Sequence, residues 1–170
     1  TCALPISFML AWGNHDLYYG TELMRSILRL LLNDIFADAH KAAGTFFEVY
    51  YSFDVGPVHV AVVYQPVLSQ YALVTNSPQF RWLDSDLASS TRPWKVVVAH
   101  HPVATSGGHR FTDYNANGRP DWEEFAEVLL PLTRKRGVQF FLSGHDHVFE
   151  RFLPRDGLNI VLSEIGRAHV

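Results

Sequence analysis

Three short stretches of the chain concentrate side chains that bind metals or move protons. They are Gly13-Asn14-His15-Asp16, Ala99-His100-His101-Pro102 and Gly144-His145-Asp146-His147. Each ends an apolar run: residues 7–12, 94–99 and 138–143. An apolar run that stops at polar, metal-binding residues reads as a buried strand delivering its carboxyl end to a site. In open α/β sheets ligands bind beyond those ends. If the three strands are neighbours, one amide oxygen and three or four imidazoles converge. Such nitrogen and oxygen donors, without thiolate, suit Zn²⁺, Fe, Mn²⁺ or Ni²⁺ better than a soft ion. Taken singly each stretch has a bland reading, because a lone strand-end histidine is usually structural and Gly-Asn-His-Asp also makes a turn. The metal reading rests on the three in series.

The elements between them follow from periodicity. Leu23, Ile27, Leu30, Leu31 and Ile35 recur at helical spacing in residues 21–44, which end on Gly44. Two strands, 46–53 and 58–64, flank a turn at Gly56-Pro57. Residues 65–77 carry no period. Ser77 followed by Pro78 reads as an N-cap and first helical position, opening a helix of about ten residues. A long Gly-rich loop covers 103–120, and loops of that length are usually functional or disordered. Residues 121–136 have acids at the start, bases at the end and Gly137 as stop, an order that suits the helix dipole. Residues 148–163 read as a hairpin around Asp156-Gly157. Strands mixed with helices predict a layered α/β fold.

Composition narrows the function further. The chain has 170 residues, 48% hydrophobic and 18% charged, with a net charge of −3. That is enough for one cored domain, and it gives no basic footprint for nucleic acid. No apolar run is long enough to span a membrane. The single cysteine, Cys2, excludes an internal disulfide. Of the nine histidines, His15, His100, His101, His145 and His147 fall in these three stretches, and His109 lies shortly after the second. Residues 1–6 and 165–170 can be encoded by the two complementary strands of one short DNA, offset by one base. Both ends are therefore read as adapter-derived, and the domain as residues 7–163.

The three blocks, in this order, resemble the calcineurin-like metallophosphoesterase superfamily, with its GNH-[DE], H-x-P and GH-x-H blocks. Residues 52–63, 77–87 and 140–151 are most similar to purple acid phosphatases. The resemblance covers roughly residues 7–163 and implies a metallophosphoesterase-type α/β/β/α sandwich. It implies two metal ions, Fe, Zn or Mn, with a metal-bound hydroxide as nucleophile attacking a small-molecule phosphate ester. Asn14, His100 and His145 match ligands of the second metal, and His147 a ligand of the first. His15 matches the imidazole that contacts the phosphate and protonates the leaving group, with Asp16 orienting it. His109, in the long loop, matches a substrate-contacting histidine. His101 is left open between a place in the site and one in the sheet.

The superfamily's D-x-H and GD-x-x-[DY] blocks have no match before Gly13. The expected fold is thus incomplete on its N-terminal side, with an unpaired sheet edge. The chain reads as a piece of a binuclear phosphoesterase, holding one metal at most and turning over little or nothing by itself. A secreted parent is implied by resemblance only. A phosphodiesterase or nucleotidase branch of the superfamily, and a non-catalytic scaffold of the same fold, remain as alternatives.

Residues 113–124 raise a separate possibility. They match the calcium-loop pattern D-x-[DN]-x-[DN]-G-x₅-E, with Asp113, Asn115, Asn117, Asp121 and Glu124 as oxygen donors. The competing reading is an Asn-Gly turn followed by Asp121 as helix N-cap, with Glu124 closing a capping box.

Overall fold

The computed structural model describes residue 11 and residues 50–65, 73–112, 117–154 and 156–164. The strand 7–12, the helix 21–44 and the Gly13–Asp16 block lie outside the described residues. Six strands form one mixed sheet: β1 (Tyr51–Val55), β2 (Val58–Val62), β3 (Trp94–Val98), β4 (Phe140–Ser143), β5 (Phe149–Arg151) and β6 (Asn159–Ser163). Their spatial order is β1-β2-β3-β4-β6-β5. β2, β3, β4 and β6 run parallel, while β1 and β5 pair antiparallel at the two ends. The mixed α/β architecture expected from the sequence is what the chain adopts. The Asp156-Gly157 turn joining β5 to β6 has φ of 54° and 81° at its two residues, the left-handed geometry of a tight hairpin.

Two helices, α1 (Pro78–Ser89) and α2 (Asp121–Arg136), pack on one face of this sheet. Leu83 and Leu87 of α1 and Phe125, Leu129 and Leu132 of α2 are spaced to share a face, and all are buried. They meet Ala61, Val97, Ala99, Phe141 and Ile160 from four neighbouring strands or strand ends. Each such side chain contributes roughly 1.5–3 kcal/mol by leaving water. Ser77 caps α1 as expected, its Oγ accepting the Phe80 N–H at 3.1 Å. Gln79 is buried, and its amide bonds both the N–H and the C=O of Tyr64, at 2.7 and 2.9 Å. It thereby serves Tyr64 as a sheet neighbour would.

α2 stops at Gly137, whose φ of 67° is the left-handed stop its position implied. Its start departs from the capping-box reading. Pro120 occupies the N-cap position with no side-chain hydrogen bond, and Asp121 is the first helical residue, buried. A carboxylate there still benefits from the positive end of the helix dipole. The two helices are tied at their polar edge by Asp84, 2.6 Å from Arg136 Nε and 3.3 Å from Lys135 Nζ. The Arg136 hydrogen bond holds the Asp84 carboxyl below its usual range. No helix among the described residues is long and apolar enough to cross a membrane.

A polar cluster centred on the buried His59 lies away from the strand ends of β3 and β4. His59 of β2 bonds Asp54 through Nδ1 and Asp86 through Nε2, each at 2.8 Å. Ser52 Oγ donates to Asp86 at 2.7 Å, and Arg92 Nε to Asp54 at 2.9 Å. With a carboxylate on each ring nitrogen, the imidazole favours its doubly protonated form. Its pKa is raised, mainly by the Asp86 bond and then by Asp54 against the opposing pull of burial. Asp54 is lowered, first by His59. The raised histidine stabilises the fold fully below its unfolded value of about 6.5, and this is lost as pH rises through the folded value. The lowered aspartate stabilises above about 3.8, and this is lost as pH falls through its folded value. The clamp joining β1, β2 and α1 is therefore strongest in weak acid. Replacing His59→Gln should cost about 1.5–3 kcal/mol in denaturant unfolding near pH 5.5, and distinctly less near pH 8.5.

Candidate metal centre

β3 and β4 are adjacent and parallel, with Val96 opposite Phe140 and Val98 opposite Leu142. The ladder continues one step past the strands: Ala99 N–H donates to Leu142 O at 3.0 Å, and Gly144 N–H to His100 O at 2.9 Å. This register sets His100 beside Gly144 and His145. His145 has a φ of 74°, a left-handed conformation that costs a non-glycine residue about 1–2 kcal/mol. Its N–H donates to the Glu164 carboxylate. The turn brings the imidazole back over the strand end, where His145 Nδ1 lies 3.3 Å from His100 Nε2.

That separation suits a shared cation. Two nitrogens each ~2.05 Å from a tetrahedral ion stand ~3.3 Å apart. The donors around it are all imidazoles among the described residues. One ring nitrogen from each of His100, His101 and His145 lies within 4.8 Å of the others. His109 stacks obliquely on His145 with ring centres 4.4 Å apart, and stands 6.0 Å from His147. His147 Nε2 is 3.9 Å from Glu164 Oε1. Asn14, His15 and Asp16 lie outside the described residues.

The loop that carries His109 is held from beneath by Asp146, the residue between the two histidines of the third block. Asp146 is fully buried. Its Oδ1 accepts the His109 N–H at 2.8 Å, and its Oδ2 accepts the Thr105 hydroxyl. Thr105 Oγ1 in turn accepts the Gly107 N–H at 2.9 Å. A buried carboxylate needs such donors, since an unpaired one is very costly. Gly107 is required here by proximity: a Cβ on it would lie 2.7 Å from the Asp146 carboxyl carbon. Ser106 is fastened separately to Glu150, its N–H donating to Oε2 at 3.0 Å. Residues 105–111 are thus a tied segment, with a 3₁₀ turn at Gly108–Phe111 presenting His109.

Sequence reasoning missed Asp146, Thr105 and Gly107, and left His101 undecided. His101 is 7% exposed and stacks on His145 with ring centres 4.3 Å apart. Its Nδ1 is 3.3 Å from Asp121 Oδ2. Of the calcium-loop residues, Asp113 and Asn115 lie outside the described residues. Asn117 donates to Glu124, and Asp121 is buried beside His101. Asp146→Ala should leave the fold intact but speed hydrogen exchange at the His109 amide and across residues 103–112. Gly107→Ala should destabilise the chain by about 1–3 kcal/mol, the scale of forcing one extra carbon into a packed site, as read by thermal unfolding.

Comparison with known proteins places the chain in a family. The family model described as calcineurin-like phosphoesterase matches residues 2–149. Purple acid phosphatase 22 of Arabidopsis thaliana is 29% identical over 151 residues, covering 85% of this chain and 31% of the relative. Acid phosphatase type 7 of Danio rerio is 31% identical over 122 residues, covering 62% of this chain and 27% of the relative. The chain therefore spans about a third of the length of the curated relatives it matches. In fold it resembles the crystal structure of a dimetal phosphatase from Danio rerio, with a TM-score of 0.57 at 18% identity over 89% of this chain and 59% of that one. On the family match, the chain belongs to the calcineurin-like phosphoesterases.

Proposed function

We propose that this domain belongs to a metal-dependent phosphomonoesterase of the acid phosphatase type, acting on small phosphate esters through a binuclear centre. The observation that carries the reading is the pair of facing imidazole nitrogens at 3.3 Å between His100 and His145, placed at the carboxyl ends of two central parallel strands. A family match over residues 2–149 and acid phosphatase relatives support it.

In this reading Asn14, His100 and His145 hold one cation and His147 contributes to a second. The cations, when bound, polarise the phosphate and acidify the attacking water. The protein's own groups do the rest. His109, fixed through its main chain by Asp146, contacts the phosphate oxygens. His15 donates a proton to the leaving-group oxygen, and Asp16 keeps the imidazole oriented and charged for that transfer.

The experiment is hydrolysis of p-nitrophenyl phosphate and of its bis-ester by the metal-loaded protein. The monoester should be hydrolysed much faster. His15→Ala should lower kcat by about 10²–10⁴-fold, the usual range for a positioned acid, while His109→Ala should act mainly on KM. Faster hydrolysis of the bis-ester would refute the monoesterase assignment, and loss-free His15→Ala kinetics would refute the proton donor.

A further inference from the structure

We propose that His101 is a third imidazole ligand of the cation shared by His100 and His145, and that Asp121 is its positioning residue. The proposal rests on the metal-centre reading above and adds two residues to it. Four observations lead there.

First, the ring nitrogens of His100, His101 and His145 form a group within 4.8 Å, so modest side-chain rotations bring all three to ion-binding separations. Second, His101 is buried to 7% exposure, and its Nδ1 has no aligned hydrogen bond among the described residues. A buried polar atom left in that state costs about 1–3 kcal/mol, so the ring gains by completing a bond through Nδ1. Third, Asp121 Oδ2 is already 3.3 Å from that same Nδ1, and the Asp121 side chain is only 10% exposed. The distance is right and only the alignment is wrong, so a small rotation of the ring completes the bond. Histidines that ligate a metal through one nitrogen typically donate the other N–H to a carboxylate, which fixes the tautomer and strengthens the ligand. With Nδ1 assigned to Asp121, Nε2 is left for the ion. Fourth, Asp121 is the first residue of α2, so the helix fixes the place of its carboxylate beside His101.

The resulting set is three imidazoles, one of them backed by a carboxylate, together with the Asn14 amide of the reading above, and it suits Zn²⁺ or Co²⁺. It explains why two consecutive histidines converge. In a continuing strand they would point to opposite faces. β3 ends at Val98, and beyond it His100 and His101 lie in a bend with ring centres 5.3 Å apart.

The test uses the 170-residue chain. Zinc chloride is titrated while ¹H–¹⁵N spectra follow every histidine ring. Separately, the Co²⁺ absorption bands are titrated in the wild type, His100→Ala, His101→Ala and Asp121→Asn. Zinc should move the ring nitrogens of His100, His101 and His145 together, with Nε2 of His101 shifting as a ligand. His101→Ala should weaken cobalt binding by about 100-fold or more, and Asp121→Asn by about 10–100-fold, the usual scale for an outer carboxylate. If zinc saturates the site with His100 and His145 shifted but His101 unmoved, the third ligand is refuted while the metal centre stands. The same holds if His101→Ala binds cobalt like the wild type while His100→Ala does not. If no ring shifts in the wild type, the metal centre and the third ligand fall together. The wild-type ring spectra decide the matter even where a variant fails to fold.

Discussion

The parallel register of β3 on β4 is the constraint on which the rest of the site depends. Val96, Val97 and Val98 stand opposite Phe140, Phe141 and Leu142, and two further ladder bonds carry the alignment to His100 and Gly144. The sheet is held in that register by apolar packing, since Val97 and Phe141 are buried under both helices. A slip of one residue would turn these side chains to the opposite face and separate the two imidazoles. Apolar burial on one side of the sheet is thereby converted into a fixed nitrogen-to-nitrogen distance at its end.

Around that pair the chain spends its polar burial on position. Asp146 holds the His109 loop, Asp121 stands behind His101, and Gln79 closes the backbone groups of Tyr64. Each is a buried polar group with at least one partner at bonding distance, and each ties a loop or strand end to a helix or turn. The His59 cluster does the same at the other side of the sheet, linking β1, β2 and α1. The cluster is built from different residues than the metal centre.

Much of this was legible in the sequence. Strand and helix assignments from Ser77 onward follow local rules: a Ser-Pro start, a Gly stop, apolar runs of strand length. The strand ends that carry His100 and His145 were readable because those histidines follow apolar runs directly. What was not readable depends on contacts between distant segments. The bond from Asp146 to His109 spans 37 residues, and nothing in Gly-His-Asp-His marks its aspartate as an anchor. Gly107 looks like one more flexible loop residue, yet the close approach of Asp146 is what requires it. The ambiguity at His101 came from strand alternation, which ceases to apply once β3 ends. Asp121 matched two local patterns, a cap and a calcium loop, while its side chain faces a histidine twenty residues earlier.

Anomalous diffraction from crystals of the zinc-loaded chain tests the central claim most directly. The account predicts a zinc peak between the ends of β3 and β4, ~2.0–2.1 Å from nitrogens of both His100 and His145. A fully occupied zinc bound elsewhere, with those two imidazoles still facing one another and no ion between them, would contradict it.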